Sequence, residues 1–328
     1  MKRVLVAGGC GYVGGGVVDA LLAAGHEVRI YDMLLYEEQY RKPVHFVRGD
    51  VRDAERLREH LDWADCVIWL AALVGDGACA LNPEITVDLN FKSVKWLREH
   101  FDGRIVFAST CSVYGAQDGE LVETSDTNPL SLYAATKLQA EEALADSDAI
   151  SFRLGTLFGI GDEFSRIRLD LVVNTLTVRA HERGKISVFG GDQFRPLLHV
   201  KDAAATFAKA VDVPSRGVFN LTAKNTRIID IAYQIRGHFP DCVIETSEAM
   251  FQDTRNYRVS AAKATKELGF KPRFSLDDGI EEMKQLVVEG RIRDTGLDRY
   301  SNVAYLAALL DRESTALAFQ HSPSASYR

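Results

Sequence analysis

Residues 4–14 read V-L-V-A-G-G-C-G-Y-V-G, an apolar run that stops at Gly8 and continues through Gly11 and Gly14 in G-x-x-G-x-x-G spacing. The residues that follow, G-G-V-V-D-A-L-L-A-A, predict a helix over 11–24. A strand entering a glycine turn and then a helix lets backbone approach a pyrophosphate closely, and the free N–H groups of the helix start favour its negative charge. Tyr12 and Val13 lie inside that turn. The next apolar run, V-R-I-Y-D, ends on Asp32. A carboxylate there accepts hydrogen bonds from adenosine ribose hydroxyls and repels a 2′-phosphate, so the pattern points to NAD rather than NADP. Glycines that only pack helix on strand, with Asp32 as a surface turn residue, are the competing reading.

Outward from the loop, short β-rich runs alternate with helical patterns. Strands are predicted over 3–7, 27–31, 45–48, 66–70, 105–108 and 149–153, and helices over 11–24, 54–60, 83–100 and 133–145. Such alternation is the mark of βαβ units, and right-handed crossovers then assemble an α/β fold with a doubly wound parallel sheet. Beyond Gly161 the texture changes to mixed elements, which predicts a smaller α+β lobe. The expected division is a Rossmann domain over 1–168, with part of 192–225 packing back onto it, and a substrate lobe over 169–328. The Ser-rich tail from about 311 reads as weakly ordered.

Bulk properties narrow the function classes. With 46% hydrophobic residues, 26% charged residues and a net charge of -7, the 328-residue chain has an ordinary globular composition. The acidic balance removes the electrostatic drive towards nucleic acid or an anionic membrane, so no partner of either kind is expected. The start, M-K-R-V-L-V-A-G-G, lacks a cleavable signal's apolar stretch, and no run of about 18 apolar residues follows. A cytoplasmic chain is the expectation. The five cysteines form no CxxC pair, which indicates neither a disulfide framework nor a metal site.

Two further motifs carry chemistry. In S-L-Y-A-A-T-K, Tyr133 and Lys137 stand four residues apart and share a helix face. A nearby ammonium favours tyrosinate and predicts a phenol lowered towards neutrality, fit to move a proton. Upstream, R-I-V-F-A runs into S-T-C-S-V-Y-G and places Thr110 at a strand end. G-D-V-R-D puts Asp50 and Val51 where a strand end reaches the adenine, and L-A-A-L-V-G brings Leu70, Ala71 and Ala72 near the pyrophosphate.

Taken in order, these motifs with F-R-P-L-L-H-V and L-G-F-K-P resemble the extended short-chain dehydrogenase/reductases, specifically the nucleotide-sugar epimerases and dehydratases. The resemblance covers nearly the whole length. It implies tightly held NAD, a nucleoside diphosphate sugar as substrate and a homodimer through the helices of 89–97 and Tyr133. It also implies that Thr110 binds the sugar O4 while Tyr133 takes its proton, Lys137 holds the nicotinamide ribose, and a 4-keto sugar results. Arg195 and Asn174 match diphosphate-side residues, and Arg255 is a weaker match. Without the resemblance Arg195 reads as a strand-edge charge and Asn174 as a polar helix position.

The product depends on the groups beside Thr110. The 4,6-dehydratases of the family place Asp then Glu there, as acid for the departing hydroxyl and base for the C5 proton. Cys111 and Ser112 hold those slots here, which disfavours 4,6-elimination. Ser112 suits a substrate-binding role in a simple C4 epimerase, and Cys111 reads as a packed thiol. Segments such as R-I-R-L-D-L-V-V-N also look like those of surface-polysaccharide enzymes that oxidise C4 of GDP-heptose, so C4 epimerase and 4-dehydrogenase both stay open. A non-enzymatic NAD(P) sensor is disfavoured by the retained Tyr133 and Lys137.

Overall fold

The computed structural model describes residues 1–164, 166–247 and 256–311. Its main sheet has seven strands in the order β11-β7-β5-β4-β1-β2-β3. In chain order these are β1 (Arg3–Ala7), β2 (Glu27–Asp32), β3 (His45–Arg48), β4 (Cys66–Trp69), β5 (Arg104–Thr110), β7 (Ala149–Leu154) and β11 (Gly217–Leu221). Neighbouring pairs throughout are parallel. Strand order reverses between β1 and β4, and in open parallel sheets that reversal leaves a crevice at the strand C-termini.

Period-two alternation divides the strands between two cores. Val4 and Val6 of β1, with Ile68 and Val106, face the helices α1 (Gly14–Ala23) and α8 (Val200–Lys209). Leu5 and Ala7, with Val67, Trp69, Ile105 and Phe107, face α2 (Ala54–Leu61), α5 (Ser93–His100) and α6 (Leu132–Leu144). Two short helices precede α5: α3 (Asp76–Leu81) and α4 (Pro83–Val87). The single helix predicted over 83–100 is interrupted by a π turn at Asp88–Lys92, and the predicted start at 11 moves to Gly14 because 8–13 form the turn itself.

The remaining strands form short sheets. Strand β10 (Phe194–His199) lies between β8 (Thr156–Phe158) and β12 (Lys224–Arg227), β9 (Lys185–Phe189) pairs with β13 (Val243–Ser247), and β6 (Glu120–Leu121) pairs with β14 (Arg258–Val259). Helices α7 (Val172–Arg183), α9 (Ile228–His238) and α11 (Leu276–Val288) close a separate core around Leu176, Ile186, Ile231 and Ile280. Helix α10 (Ala262–Leu268) packs on the main sheet's core, and α12 (Asn302–Leu310) packs on α3. Among the described residues no helix is long and apolar enough to cross a membrane. The tail expected to be weakly ordered lies outside the described residues from 312 onward.

Candidate active site

One cavity of about 940 Å³ lies at the strand reversal point and extends to α7 and β10. Gly8, Gly11, Tyr12, Val13 and Gly14 line its first end, with Asp32, Val51, Leu70, Ala71 and Ala72. The glycines are sterically required. Gly8 adopts φ +86°, and a Cβ there would stand 2.5 Å from the Ala71 nitrogen; a Cβ on Gly14 would stand 2.4 Å from the Gly8 carbonyl oxygen. The Asp32 carboxylate accepts from the backbone N–H groups of Cys10 and Leu34 at 2.9 and 2.8 Å, which aims it at the cavity although burial raises its pKa. A glycine cradle with an adjacent anchored carboxylate fits the diphosphate and ribose of NAD. Asp50 is not on the cavity wall. Gly49 and Val51 are, so the strand end turns Asp50 outward, where its carboxylate binds the Arg52 guanidinium at 2.6–3.1 Å.

Midway along the cavity stand Thr110, Ser112, Tyr133 and Lys137. Strand β5 delivers Thr110, whose Oγ1 accepts from the Ser112 N–H at 3.1 Å and whose hydroxyl is near enough to the Tyr133 phenol to act on its pKa. Ser131 caps α6 by accepting from the Ala134 N–H at 3.2 Å, so Tyr133 occupies the first turn and Lys137 the next. The lowered phenol expected from the pair does not occur in the protein alone. Burial pushes Tyr133 up, Cys79 adds to that, and the Thr110 hydroxyl opposes it. Lys137 donates from Nζ to the Ala108 carbonyl at 2.8 Å, and burial lowers the amine itself to about 8. Cys111 is fully buried, its Sγ turned to the Arg153 carbonyl at 3.2 Å and its thiol pushed up by burial.

The far end carries positive charge. Arg195 on β10 lines it, as does Arg179 on α7, a residue that motif matching passed over. Helix α7 turns Val172, Thr175, Leu176 and Arg179 to the cavity, a spacing that defines one face. Asn174 falls on the opposite face. It is fully buried, its Oδ1 accepting from the Gly159 N–H at 3.0 Å and its Nδ2 donating to the Arg168 carbonyl at 3.0 Å, so it braces the wall rather than lining it. Arg255 lies outside the described residues. Several lining residues had no separate sequence signal: Tyr36, Asp76, Arg166, Arg168 and Asn302. The R-I-R-L-D run held two of them, legible only as part of a resemblance.

The chain is 26% identical to a UDP-glucose 4-epimerase of Corynebacterium glutamicum over 82% of its own length and 91% of the relative's. It superposes with TM-score 0.75 and 26% identity on MoeE5, solved in complex with UDP-glucose and NAD, over 88% of this chain and 99% of that one. The UDP-glucose 4-epimerase of Stenotrophomonas maltophila shares the fold with TM-score 0.79 at 24% identity, over 89% of this chain and 99% of that one. The model of the NAD dependent epimerase/dehydratase family matches residues 4–222. With the glycine cradle, the anchored Asp32 and the Thr110–Tyr133–Lys137 group in one cavity, the chain belongs to the NAD dependent epimerase/dehydratase family of enzymes.

Proposed function

We propose that the chain interconverts the C4 epimers of a UDP-hexose through a 4-keto sugar. The observation that carries this reading is the end of β5, where Thr110 stands beside the Tyr133 phenol on the cavity wall while Cys111 turns into the core. Tyr133 is the group that removes the O4 proton and returns it. Thr110, with one lone pair occupied by the Ser112 N–H, orients O4 towards the phenol. NAD would be held by Gly8, Gly11, Tyr12, Val13, Gly14, Asp32 and Val51, with Leu70, Ala71 and Ala72 beside it; when bound it supplies the redox partner for C4. Lys137, with a pKa of about 8 in the protein alone, is placed to carry a proton or charge at the nicotinamide ribose. Arg179 and Arg195 suit the substrate diphosphate. The uridine base is supported by the named activity of relatives such as the Corynebacterium glutamicum enzyme. The positions after Thr110 hold no acid and base for a 4,6-elimination, which favours return of the ketone to alcohol.

Purified protein given UDP-galactose without added NAD is expected to form UDP-glucose, followed by proton NMR of the sugar, with no accumulation of NADH absorbance. Stoichiometric NADH appearance would instead identify a net 4-dehydrogenase and sink the epimerase reading. Tyr133→Phe should lower turnover by about 10²–10⁴ while NAD binding persists. We further infer a cytoplasmic homodimer formed through the segment 89–97 and the Tyr133 helix, and a monomer mass by light scattering would overturn that dimer.

A further inference from the structure

The cavity wall beside the catalytic phenol holds a carboxylate that the chemistry above does not use. Asp76 is the first residue of α3 and follows Gly75, whose φ of +100° turns the chain sharply out of the loop after β4. The carboxylate lines the same cavity as Thr110, Ser112 and Tyr133, and it is only partly buried there. Its position is held from the catalytic helix itself. Ser131, which caps α6 two residues before Tyr133, donates its Oγ hydrogen to Asp76 Oδ1 at 2.6 Å. The loop that carries it is pinned from two sides. Asn90 donates to the Leu73 carbonyl and accepts from the Leu73 N–H, each at 2.9 Å, and Asn302 donates to the Val74 carbonyl at 2.7 Å. The negative charge is close enough to Tyr133 to raise its pKa.

Resting on the reading that Tyr133 and Thr110 receive the sugar O4, we propose that Asp76 sets the specificity for the rest of the sugar. It accepts a hydrogen bond from the 6-hydroxyl of the hydroxymethyl group on C5 and excludes hexoses that carry a C6 carboxylate in place of that group. The hydroxymethyl group sits on C5, the ring carbon next to C4, so a sugar with O4 at Tyr133 brings O6 to this wall. A carboxylate has about four lone-pair sites, so it can accept from a sugar hydroxyl while it keeps Ser131. A uronate carboxylate at the same place meets a like charge in a site that water leaves when the sugar enters, where Coulomb repulsion is poorly screened. The class selected is therefore the neutral hydroxylated hexose. The distinction is a real one within this fold, since the structural relative MoeE5 has been solved with UDP-glucuronic acid as well as with UDP-glucose.

The test is direct binding of UDP, UDP-glucose and UDP-glucuronic acid to the NAD-loaded protein by calorimetry, in the wild type and in Asp76→Asn. Asparagine keeps an acceptor of the same size and removes the charge. The wild type should bind UDP-glucose at least about tenfold more tightly than UDP-glucuronic acid. In Asp76→Asn that ratio should fall by roughly fivefold or more through tighter uronate binding, with UDP affinity unchanged. A ratio that stays constant, or both sugars weakening together, would show that Asp76 only supports the cap of α6 and would overturn the inference while leaving the epimerase reading in place. A wild type that binds neither UDP nor either sugar would overturn both. The selectivity ratio does not move when a residue acts only on folding, so even a partly destabilised variant reports on the charge.

Discussion

At the residue scale, the behaviour of Lys137 separates packing from chemistry. The side chain is 2% exposed, and burial lowers its pKa from 10.5 to about 8. The unfolded chain keeps the proton up to about pH 10.5 and the folded protein only to about pH 8, so stability rises with pH across that window. Below it the full cost of charging a buried amine is present. Lys137→Met should therefore stabilise the NAD-free protein by roughly 2–3 kcal/mol at neutral pH, flatten its pH dependence in that alkaline window and abolish turnover. Urea unfolding across pH checks this, and a variant less stable than wild type at neutral pH would refute it. The same scale shows where motif reading stops. Tyr133 and Lys137 were legible because four residues on a helix fix a shared face whatever surrounds them. Their proton affinities were not, since burial and neighbours such as Cys79 decide these and both belong to the folded environment.

At the element scale, α6 is fastened to the sheet by a buried ion pair one turn beyond Lys137. Glu141 lies one turn beyond Lys137 and is 5% exposed; Arg153 on β7 reaches it through Nη2 at 2.7 Å and Nε at 3.1 Å, and Ser109 also donates to it. Arg153 Nη1 further donates to the Tyr114 hydroxyl at 2.9 Å. Removing one partner strands the other charge, so Glu141→Ala should cost about 3–5 kcal/mol by chemical denaturation. A double variant, Glu141→Leu with Arg153→Met, should recover most of that loss, and failure to recover would show that the geometry of the pair matters beyond its charge. The elements themselves were largely visible in the sequence, because apolar period marks strands and helices locally. The π turn at 88–92 was not. It aims Asn90 at both backbone groups of Leu73, a tertiary contact that leaves no periodic trace in V-D-L-N-F-K.

For the whole molecule, the C-terminal segment ties three walls of the cavity together. Asn302, 3% exposed, donates to the Val74 carbonyl at 2.7 Å, accepts from Arg166 at 2.6 Å and donates its N–H to Asp170 at 2.9 Å. Arg166 lies 3.5 Å over the Tyr36 ring, and Tyr36 contacts Tyr305 of α12 with centroids 5.2 Å apart. Loops from both halves of the chain are thus held by one side chain. Asn302→Ala leaves buried polar groups without their partner and should cost about 1–3 kcal/mol. It should also speed the loss of NAD during gel filtration, measured by the nucleotide content of the eluted protein; unchanged retention would limit the segment to a structural role. The sequence by itself determined the parallel α/β class, the glycine turn, Asp32 at the end of its strand and the shared helix face of Tyr133 and Lys137, because each rests on spacing within one element or at its end; Thr110 stood out only through the family resemblance. Only the tertiary structure decided that Asn174 braces the wall while Arg179 faces the cavity, that Asp50 turns away, and that Asp76 and Asn302 join the site. Those outcomes depend on which helix face meets which loop, and that is settled when segments far apart in the chain bury their surfaces against one another.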